Sequence, residues 1–307
     1  MTTALSGDNN KHVAKKESVF TDISGKRKAN NTYHSALVWG TMILALVPLI
    51  WVLWTVISKG AAPISHADWW TMDQSSVRIK KPGGGAYHAI VGTLVQTLVA
   101  AVFSVPIAIF TAIYLVEYSN NNWLGKMTMF MVDILSGVPS IVSALFVYAL
   151  WITGMHFNRS GFAVTLSLIL LMIPIVVRNC EEMLRVVPMD LREASYALGV
   201  PKWKTIQKIV LPTALSGIVT GIMLAIARVM GESAPVLVLV GSTQVTNWNL
   251  FDGSQSSLPL MMLDMYKAGT DPAVLDKLWG AALTLVLIIA ILNLAARWIA
   301  AKYSIKK

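Results

Sequence analysis

The sequence has 307 residues, of which 55% are hydrophobic and only 13% are charged, and its mean hydropathy is +0.60. About a quarter of the residues in a soluble domain are charged, so this composition excludes an ordinary soluble protein and predicts an integral membrane protein. The formal net charge of +9 would suit nucleic-acid binding, but the cations collect in short polar segments between apolar runs, so we expect no nucleic-acid partner.

Six apolar segments are long enough to cross a bilayer as helices, which takes about 20 residues each. They predict an all-α membrane domain, residues 36–301, with six transmembrane helices at 36–58, 87–118, 127–155, 161–180, 213–241 and 277–299. Residues 1–35 are polar and basic, and we expect a disordered cytoplasmic tail there. Residues 302–307 are expected to form a short basic cytoplasmic end.

The distribution of Lys and Arg predicts the orientation of these spans. With the N-terminus inside, the inner segments hold 17 of the 25 Lys and Arg residues and the outer segments hold seven. Cytoplasmic loops are enriched in Lys and Arg, so both termini are expected in the cytoplasm and the protein in the plasma (inner) membrane, surrounded by lipid.

The single cysteine, Cys180, excludes an internal disulfide and is expected to be a small packing residue.

Motifs for catalysis and cofactor binding are missing from the sequence. It has no Gly-x-x-x-x-Gly-Lys-Ser/Thr phosphate loop, no His-Glu-x-x-His zinc motif and no Gly-x-Ser-x-Gly nucleophile turn. We therefore expect the chain to hydrolyse no ATP, to bind no cofactor or metal, and not to be an enzyme by itself.

The predicted cytoplasmic loop at residues 181–212 is the one long amphipathic stretch, "EEMLRVVPMDLREASYALGVPKWKTIQKIVLP". Pro188 can start a helix, and Gly199 suits the left-handed residue that ends one. Pro201 then predicts the start of a second helix, which meets the membrane near Pro212. An ordinary amphipathic helix at the lipid interface is the alternative interpretation.

The spacing within this loop resembles that of the permeases of ABC importers, which carry Glu-Ala-Ala, three residues, Gly, nine residues, Ile, one residue and Leu-Pro. This chain has the matching residues Glu193, Ala194, Ser195, Gly199, Ile209, Leu211 and Pro212, with Ser in place of the second Ala as its one departure. The resemblance implies the type I importer permease architecture. It also implies that residues 193–199 dock on a separate ATPase dimer, which uses ATP and Mg²⁺.

Two opposite charges, Arg228 and Glu232, lie inside the apolar segment 213–241. An isolated Arg in the middle of a membrane costs at least about 2.5–3.5 kcal/mol, so it needs a partner or a wet cavity. On a continuous helix the two side chains would share one face, as residues four apart do. They would then form either a structural ion pair or an anion site in which Glu232 holds the Arg228 fork, beside small residues and a helix break at Pro235.

The run "IVTGIMLAIARVMGESAPVL", from Ile218, resembles the fifth span of the permeases of phosphate importers. Ser233, with Ala234 and Pro235, matches the subunit type that carries Thr-Ala-Pro here rather than Thr-Met-Ala. The resemblance implies a phosphate pathway lined by Arg228 and Arg178. It further implies a second permease subunit, an external phosphate-binding protein, and a bacterial or archaeal origin.

Other interpretations remain open at this point. Arg178 is equally well explained as a positive flank at the inner end of its span, and Asp133 is better explained by a polar neighbour than by substrate contact. Sulfate, molybdate and an organic phosphonate are the competing substrates. An ion-coupled anion transporter or channel, and a structural membrane scaffold, are the alternatives of another class, and the spacing in the loop argues against them.

Overall fold

The computed structural model describes residues 25–120 and 122–303. Within these residues the protein is all-α, and the single extended contact is an isolated bridge between Ser160 and Gly253. The chain divides into two compact units, residues 1–53 and 54–307. In the first unit the described residues belong to α1, Gly25–Ile64, so residues 25–35 are helical and the prediction of a disordered tail is wrong there; residues 1–24 lie outside the described residues.

The second unit contains the end of α1 and all the other helices that the structure describes. In chain order these are α2 (Ala67–Thr71), α3 (Tyr87–Ile113), α4 (Trp123–Ser136), α5 (Ser140–Val147), α6 (Gly161–Val186), α7 (Met189–Ala197), α8 (Lys202–Thr205), α9 (Leu211–Met230), α10 (Ala234–Leu239), α11 (Leu258–Ala268) and α12 (Pro272–Tyr303). Short π-helical turns extend α3 to Tyr118, extend α5 to Gly154, and join α8 to α9.

Five continuous helices are long and apolar enough to cross a membrane, which agrees with five of the six predicted spans. Their bounds are Gly25–Ile64, Tyr87–Tyr118, Gly161–Val186, Lys202–Met230 and Pro272–Lys302. The predicted fifth span was drawn too long, because its helix ends at Met230 and α10 begins again only at Ala234.

The remaining predicted span, 127–155, is a broken one. The segments Trp123–Ser136 and Ser140–Gly154 meet at an angle of 105°. Gly137 closes α4 by donating its N–H to the Ile134 carbonyl at 3.1 Å, and Pro139 follows in an extended conformation. Proline has no N–H for the helical ladder and disfavours helix in the preceding residue, so the chain turns here.

Helix α6 lies at the centre of the second unit and packs against α3 and α9. Its residues Leu168, Met172, Val176 and Cys180 follow each other at intervals of four and are at most 2% exposed, so they form one buried stripe. The expectation that Cys180 is a packing residue is thereby confirmed.

Helices α6 and α9 run antiparallel in close contact. A Cβ atom on Gly217 would lie 2.1 Å from the Met183 sulfur, and one on Gly221 would lie 2.5 Å from the Asn179 Cβ. The two contacts move four residues forward on α9 and four residues back on α6, which fixes the antiparallel register. This register sets the depth of the charged residues described below.

Candidate functional site

The segment predicted to couple to an ATPase forms a short helix with the expected ends. Helix α7 begins after Pro188, and Gly199 follows it with φ +75°, a conformation that favours glycine. The Gly199 N–H donates to the Tyr196 carbonyl at 2.9 Å, which completes the cap. Pro201 then precedes α8, so the turn between the two helices is where the sequence predicts it.

The matched motif residues divide between an exposed and a buried face of α7. Glu193 and Ala194 are exposed, whereas Ser195 is only 3% exposed. The Ser195 and Thr205 hydroxyl groups lie 2.8 Å apart and share a hydrogen bond that ties α7 to α8. The substitution of Ser for the family's second Ala is therefore accommodated by a hydrogen bond that the sequence alone did not reveal.

The exposed face of this segment is rich in apolar side chains. Five large side chains within ten residues of Glu193 are 39–83% exposed: Met189, Leu191, Tyr196, Leu198 and Trp203. Exposed apolar patches of this kind mark surfaces that bind another protein or a membrane.

A buried ion pair fixes α7 to the end of α3. The Arg192 Nη2 and the Glu117 Oε1 are 3.0 Å apart, and their side chains are 9% and 5% exposed. Arg192 also donates to the carbonyls of Val187 at 2.6 Å and Leu184 at 2.9 Å. Lys202 donates to the Glu117 carbonyl, so the start of α8 is attached at the same point. Sequence reasoning missed this cluster, because its two charges are 75 residues apart.

The structure places Arg228 on the last turn of α9 and leaves its side chain exposed. Gly221 on α9 contacts Asn179 on the antiparallel helix α6. Arg228 is seven residues after Gly221, and Met172 is seven residues before Asn179. Arg228 therefore lies level with Met172, roughly 10 Å along the helix axis from Asn179. Met172 lies near the middle of Gly161–Val186, so Arg228 lies level with the middle of this helix.

The predicted pairing of Arg228 with Glu232 on one helix face is wrong. Helix α9 ends at Met230, and the N–H groups of Gly231 and Glu232 bond three residues back, to Arg228 and Val229 at 3.1 Å. Glu232 therefore lies in the non-helical link before α10, and the ion pairs among residues 25–120 and 122–303 do not include it with Arg228. The helix break predicted at Pro235 falls earlier, at Gly231.

Arg178 is held by carboxylates. It forms ion pairs with Asp133 on α4 and with Glu181 at 3.4 Å, and Arg185 contacts the same Glu181 at 2.8 Å. The polar neighbour expected for Asp133 is thus Arg178. Because Arg178 lies next to Asn179, it sits roughly 10 Å deeper toward the predicted cytoplasmic side than Arg228, so the two arginines do not share one level.

The chain is similar to known transport-system components over most of its length. Residues 104–304 match the family model described as binding-protein-dependent transport system inner membrane component. The chain is 51% identical to the phosphate transport system permease protein PstA 1 of Mycobacterium tuberculosis (strain ATCC 25618 / H37Rv), over 92% of this chain and 91% of that one. It is 40% identical to the phosphate transport system permease protein PstA of Yersinia pestis, over 90% and 92%.

Solved structures of ABC transporters share the fold. A bacterial alginate ABC transporter, in complex with an alginate-bound periplasmic protein, aligns with TM-score 0.61 and 14% identity over 90% of this chain and 96% of that one. The MetNI methionine ABC transporter, in an inward-facing conformation, aligns with TM-score 0.55 and 19% identity over 72% and 95%.

Proposed function

The chain belongs to the family of binding-protein-dependent transport system inner membrane components, and we propose that it is the PstA-type permease subunit of an ATP-driven importer of inorganic phosphate. The observation that carries the proposal is the identity of 40–51% to PstA proteins over nine tenths of the chain. Permeases for sulfate, molybdate or phosphonates, and ion-coupled anion transporters, are not favoured by these relatives.

The proposal requires partners. A second permease subunit, PstC-like, would complete the pathway, and an external phosphate-binding protein, PstS-like, would deliver the substrate. An ATPase dimer, PstB-like, would use ATP and Mg²⁺ and would dock on the exposed face around Glu193, Ala194 and Leu198. The apolar exposure of that face, with Leu198 at 83%, supports docking on a protein.

In the proposed mechanism, movement of the ATPase reaches Arg228 through connected helices. The docking helix α7 cannot move alone, because Arg192 and Glu117 tie it to α3 and Ser195 ties it to α8. From α8 an uninterrupted helix, Lys202–Met230, runs to Arg228. A displacement at the docking face would therefore be carried toward the middle of the membrane.

Arg228 is the proposed phosphate ligand. Its guanidinium presents a planar fork of donors that fits two oxygens of an oxyanion, and its exposed position in this subunit leaves it accessible from the proposed pathway. Glu232, in the link after α9, would line the same pathway, where a carboxylate weakens anion binding and so favours release. Arg178 would serve the inner part of the pathway, with Asp133 and Glu181 as counter-ions that a passing anion must displace.

Reconstitution of the purified complex tests this function. Phosphate-loaded binding protein is expected to stimulate ATP hydrolysis and to drive uptake of labelled phosphate into proteoliposomes. Sulfate, offered with the same binding protein, is the matched control and should do neither. A complex that co-purifies with no ATPase, or that transports sulfate in preference to phosphate, would refute the proposal.

A further inference from the structure

A cavity lined by polar side chains and by the apolar residues Ile79, Met261, Met265 and Ala268 lies on the side of the protein that the Lys and Arg distribution predicts to be external. It has a volume of about 320 Å³ and lies between residues 74–79, the start of α3, the loop before α11, and α11 itself. We call it the outer polar cavity and define it by the polar lining residues Gln74, His88, Thr243, Ser256, Asp264 and Lys267.

Three of these side chains carry buried polar atoms with no hydrogen-bond partner. They are the Gln74 Nε2, the His88 Nδ1 and the Ser256 Oγ, on residues that are 1%, 3% and 1% exposed. Among residues 25–120 and 122–303 only one other buried side-chain atom lacks a partner, the Ser104 Oγ. Buried polar atoms in native proteins are almost always paired with protein atoms or ordered water, so three that line one cavity indicate that a polar molecule, water or a ligand, occupies it.

The walls of the cavity are fixed by their own hydrogen bonds. Thr93 accepts a bond from the Leu258 N–H at 2.8 Å, and the Gln74 N–H donates to the Gln244 carbonyl at 3.2 Å. Asp73 accepts from the Thr246 N–H at 3.1 Å and from the Ser75 hydroxyl at 2.7 Å, and the bond from Ser75 holds the pKa of Asp73 below its ordinary value. Because these bonds hold the loops in place, the cavity cannot easily collapse onto its unpaired atoms.

The chemistry of the lining favours a small oxyanion. The amide of Gln74, the hydroxyl of Ser256 and the imidazole of His88, in its Nδ1–H form, can each donate a hydrogen bond. Lys267 adds a positive charge at the exposed rim. Metal binding is not favoured, because the part of the chain that the structure describes has no group of three His, Cys, Asp or Glu residues suited to a metal ion.

One carboxylate in the lining decides which oxyanion fits. Asp264 accepts a hydrogen bond from the Ser242 hydroxyl through one of its oxygens, which leaves the other for a second donor. Phosphate retains a proton at neutral pH and can donate it in a hydrogen bond to this oxygen. Sulfate carries no proton there and would meet only repulsion.

We propose that the outer polar cavity is an external subsite that binds hydrogen phosphate before it reaches Arg228. The proposal rests on the proposed function, since it assigns the cavity to the same substrate. It adds a stopping point between the delivering protein and the middle of the membrane, and it assigns phosphate selectivity to Asp264.

Equilibrium binding of labelled inorganic phosphate to the purified permease–ATPase complex, without the binding protein, tests the subsite. An Arg228→Gln background removes the mid-membrane ligand, so the remaining binding reports the cavity. Ser256→Ala and Gln74→Leu are each expected to weaken that binding at least tenfold, the equivalent of about 1.4 kcal/mol. Ser104→Ala is the matched control, because it removes the other unpartnered buried hydroxyl group, which lies roughly 24 Å along α3 from His88. This change should leave phosphate binding to the cavity unchanged.

The possible results separate the subsite from the function. Absence of binding up to millimolar phosphate in the Arg228→Gln background, or unchanged binding in both cavity variants, overturns the subsite. If the wild-type complex still imports phosphate in that case, the proposed function stands; if it does not, both fail. Co-elution of all subunits from a size-exclusion column checks that each variant assembles.

Sulfate competition tests the role of Asp264. Excess sulfate is expected to leave phosphate bound to the cavity, whereas in Asp264→Asn, whose amide can donate to sulfate, sulfate should displace it. Equal displacement by sulfate with Asp and with Asn at this position would overturn the assignment of selectivity to Asp264.

Discussion

Replacing Arg192 with Met should uncouple ATP hydrolysis from transport, because it removes the anchor between the docking helix α7 and α3. The side chains of Arg192 and Glu117 are 9% and 5% exposed, so the change leaves a buried carboxylate without its partner. Loss of one partner from such a buried pair costs about 3–5 kcal/mol. The carbonyls of Leu184 and Val187 also lose their donor. The docking helix should therefore detach locally more easily than the membrane core unfolds.

The assay is the ratio of phosphate imported to ATP hydrolysed in proteoliposomes, together with the thermal stability of the complex. Arg192→Met should lower both, and Glu117→Gln should lower both by less, since Arg192 would keep the Val187 and Leu184 carbonyls as acceptors and an amide oxygen could still accept from it. The double change to Met at both positions should recover part of the stability of the single Arg192→Met variant, because no buried charge remains. Losses that simply add in the double variant, or a normal coupling ratio in Arg192→Met, would refute the anchoring role.

Three further predictions concern the proposed site residues. Arg228→Gln should reduce phosphate uptake to background in an assembled complex. Arg228→Lys should restore little of this uptake, because an ammonium group lacks the planar fork of donors. Uptake at the wild-type rate in Arg228→Gln would exclude Arg228 as a ligand. Glu193→Lys, on the exposed docking face, should preserve ATP hydrolysis but lower the phosphate imported per ATP. A cysteine introduced at Ala197 should crosslink to the ATPase. Normal coupling in Glu193→Lys together with no crosslink would contradict docking at this face. Arg178→Gln should lower phosphate uptake by about tenfold rather than abolish it, because Asp133 already neutralises this charge. A tenfold loss is equivalent to about 1.4 kcal/mol in the transport barrier. An equal loss in Asp133→Asn would indicate that the ion pair only holds the two helices together.

The sequence predicted those features that depend on local patterns. Long apolar runs located five continuous spans, and the order of Pro188, Gly199 and Pro201 gave the ends of the docking helix. These signals act within a few residues, through the bilayer thickness and the backbone preferences of Pro and Gly. A chain with these patterns has few other ways to satisfy its backbone in a membrane.

The errors arose where two local signals competed. The apolar run 213–241 is long enough for one helix, but Gly231 ends α9 and takes Glu232 off the helix. Pro139 similarly breaks the run 127–155 into two helices. In both places a Gly or Pro residue ends the helix although the surrounding sequence stays hydrophobic. A count of apolar residues does not detect such helix-breaking residues.

Contacts between residues that are far apart in the chain could not be predicted from the sequence alone. Arg192 and Glu117 are 75 residues apart, and Arg178 meets Asp133 across two helices. A single sequence contains many Arg and Glu residues, and only the packing of helices decides which of them meet. The outer polar cavity is of the same kind, since His88 and Ser256 come together from opposite halves of the chain.

In the proposed mechanism, the continuous helix between the docking segment and Arg228 would let small movements drive transport. The π-helical turn at Ile206–Val210 lies at its base, and π-bulges are among the places where helices kink. From Val210 to Arg228 the helix extends roughly 27 Å, so a tilt of about 7° moves the guanidinium by about 3 Å, the length of one hydrogen bond. A bidentate contact is lost over that distance, so in the proposed mechanism a modest tilt at the docking face would switch Arg228 between holding and releasing phosphate.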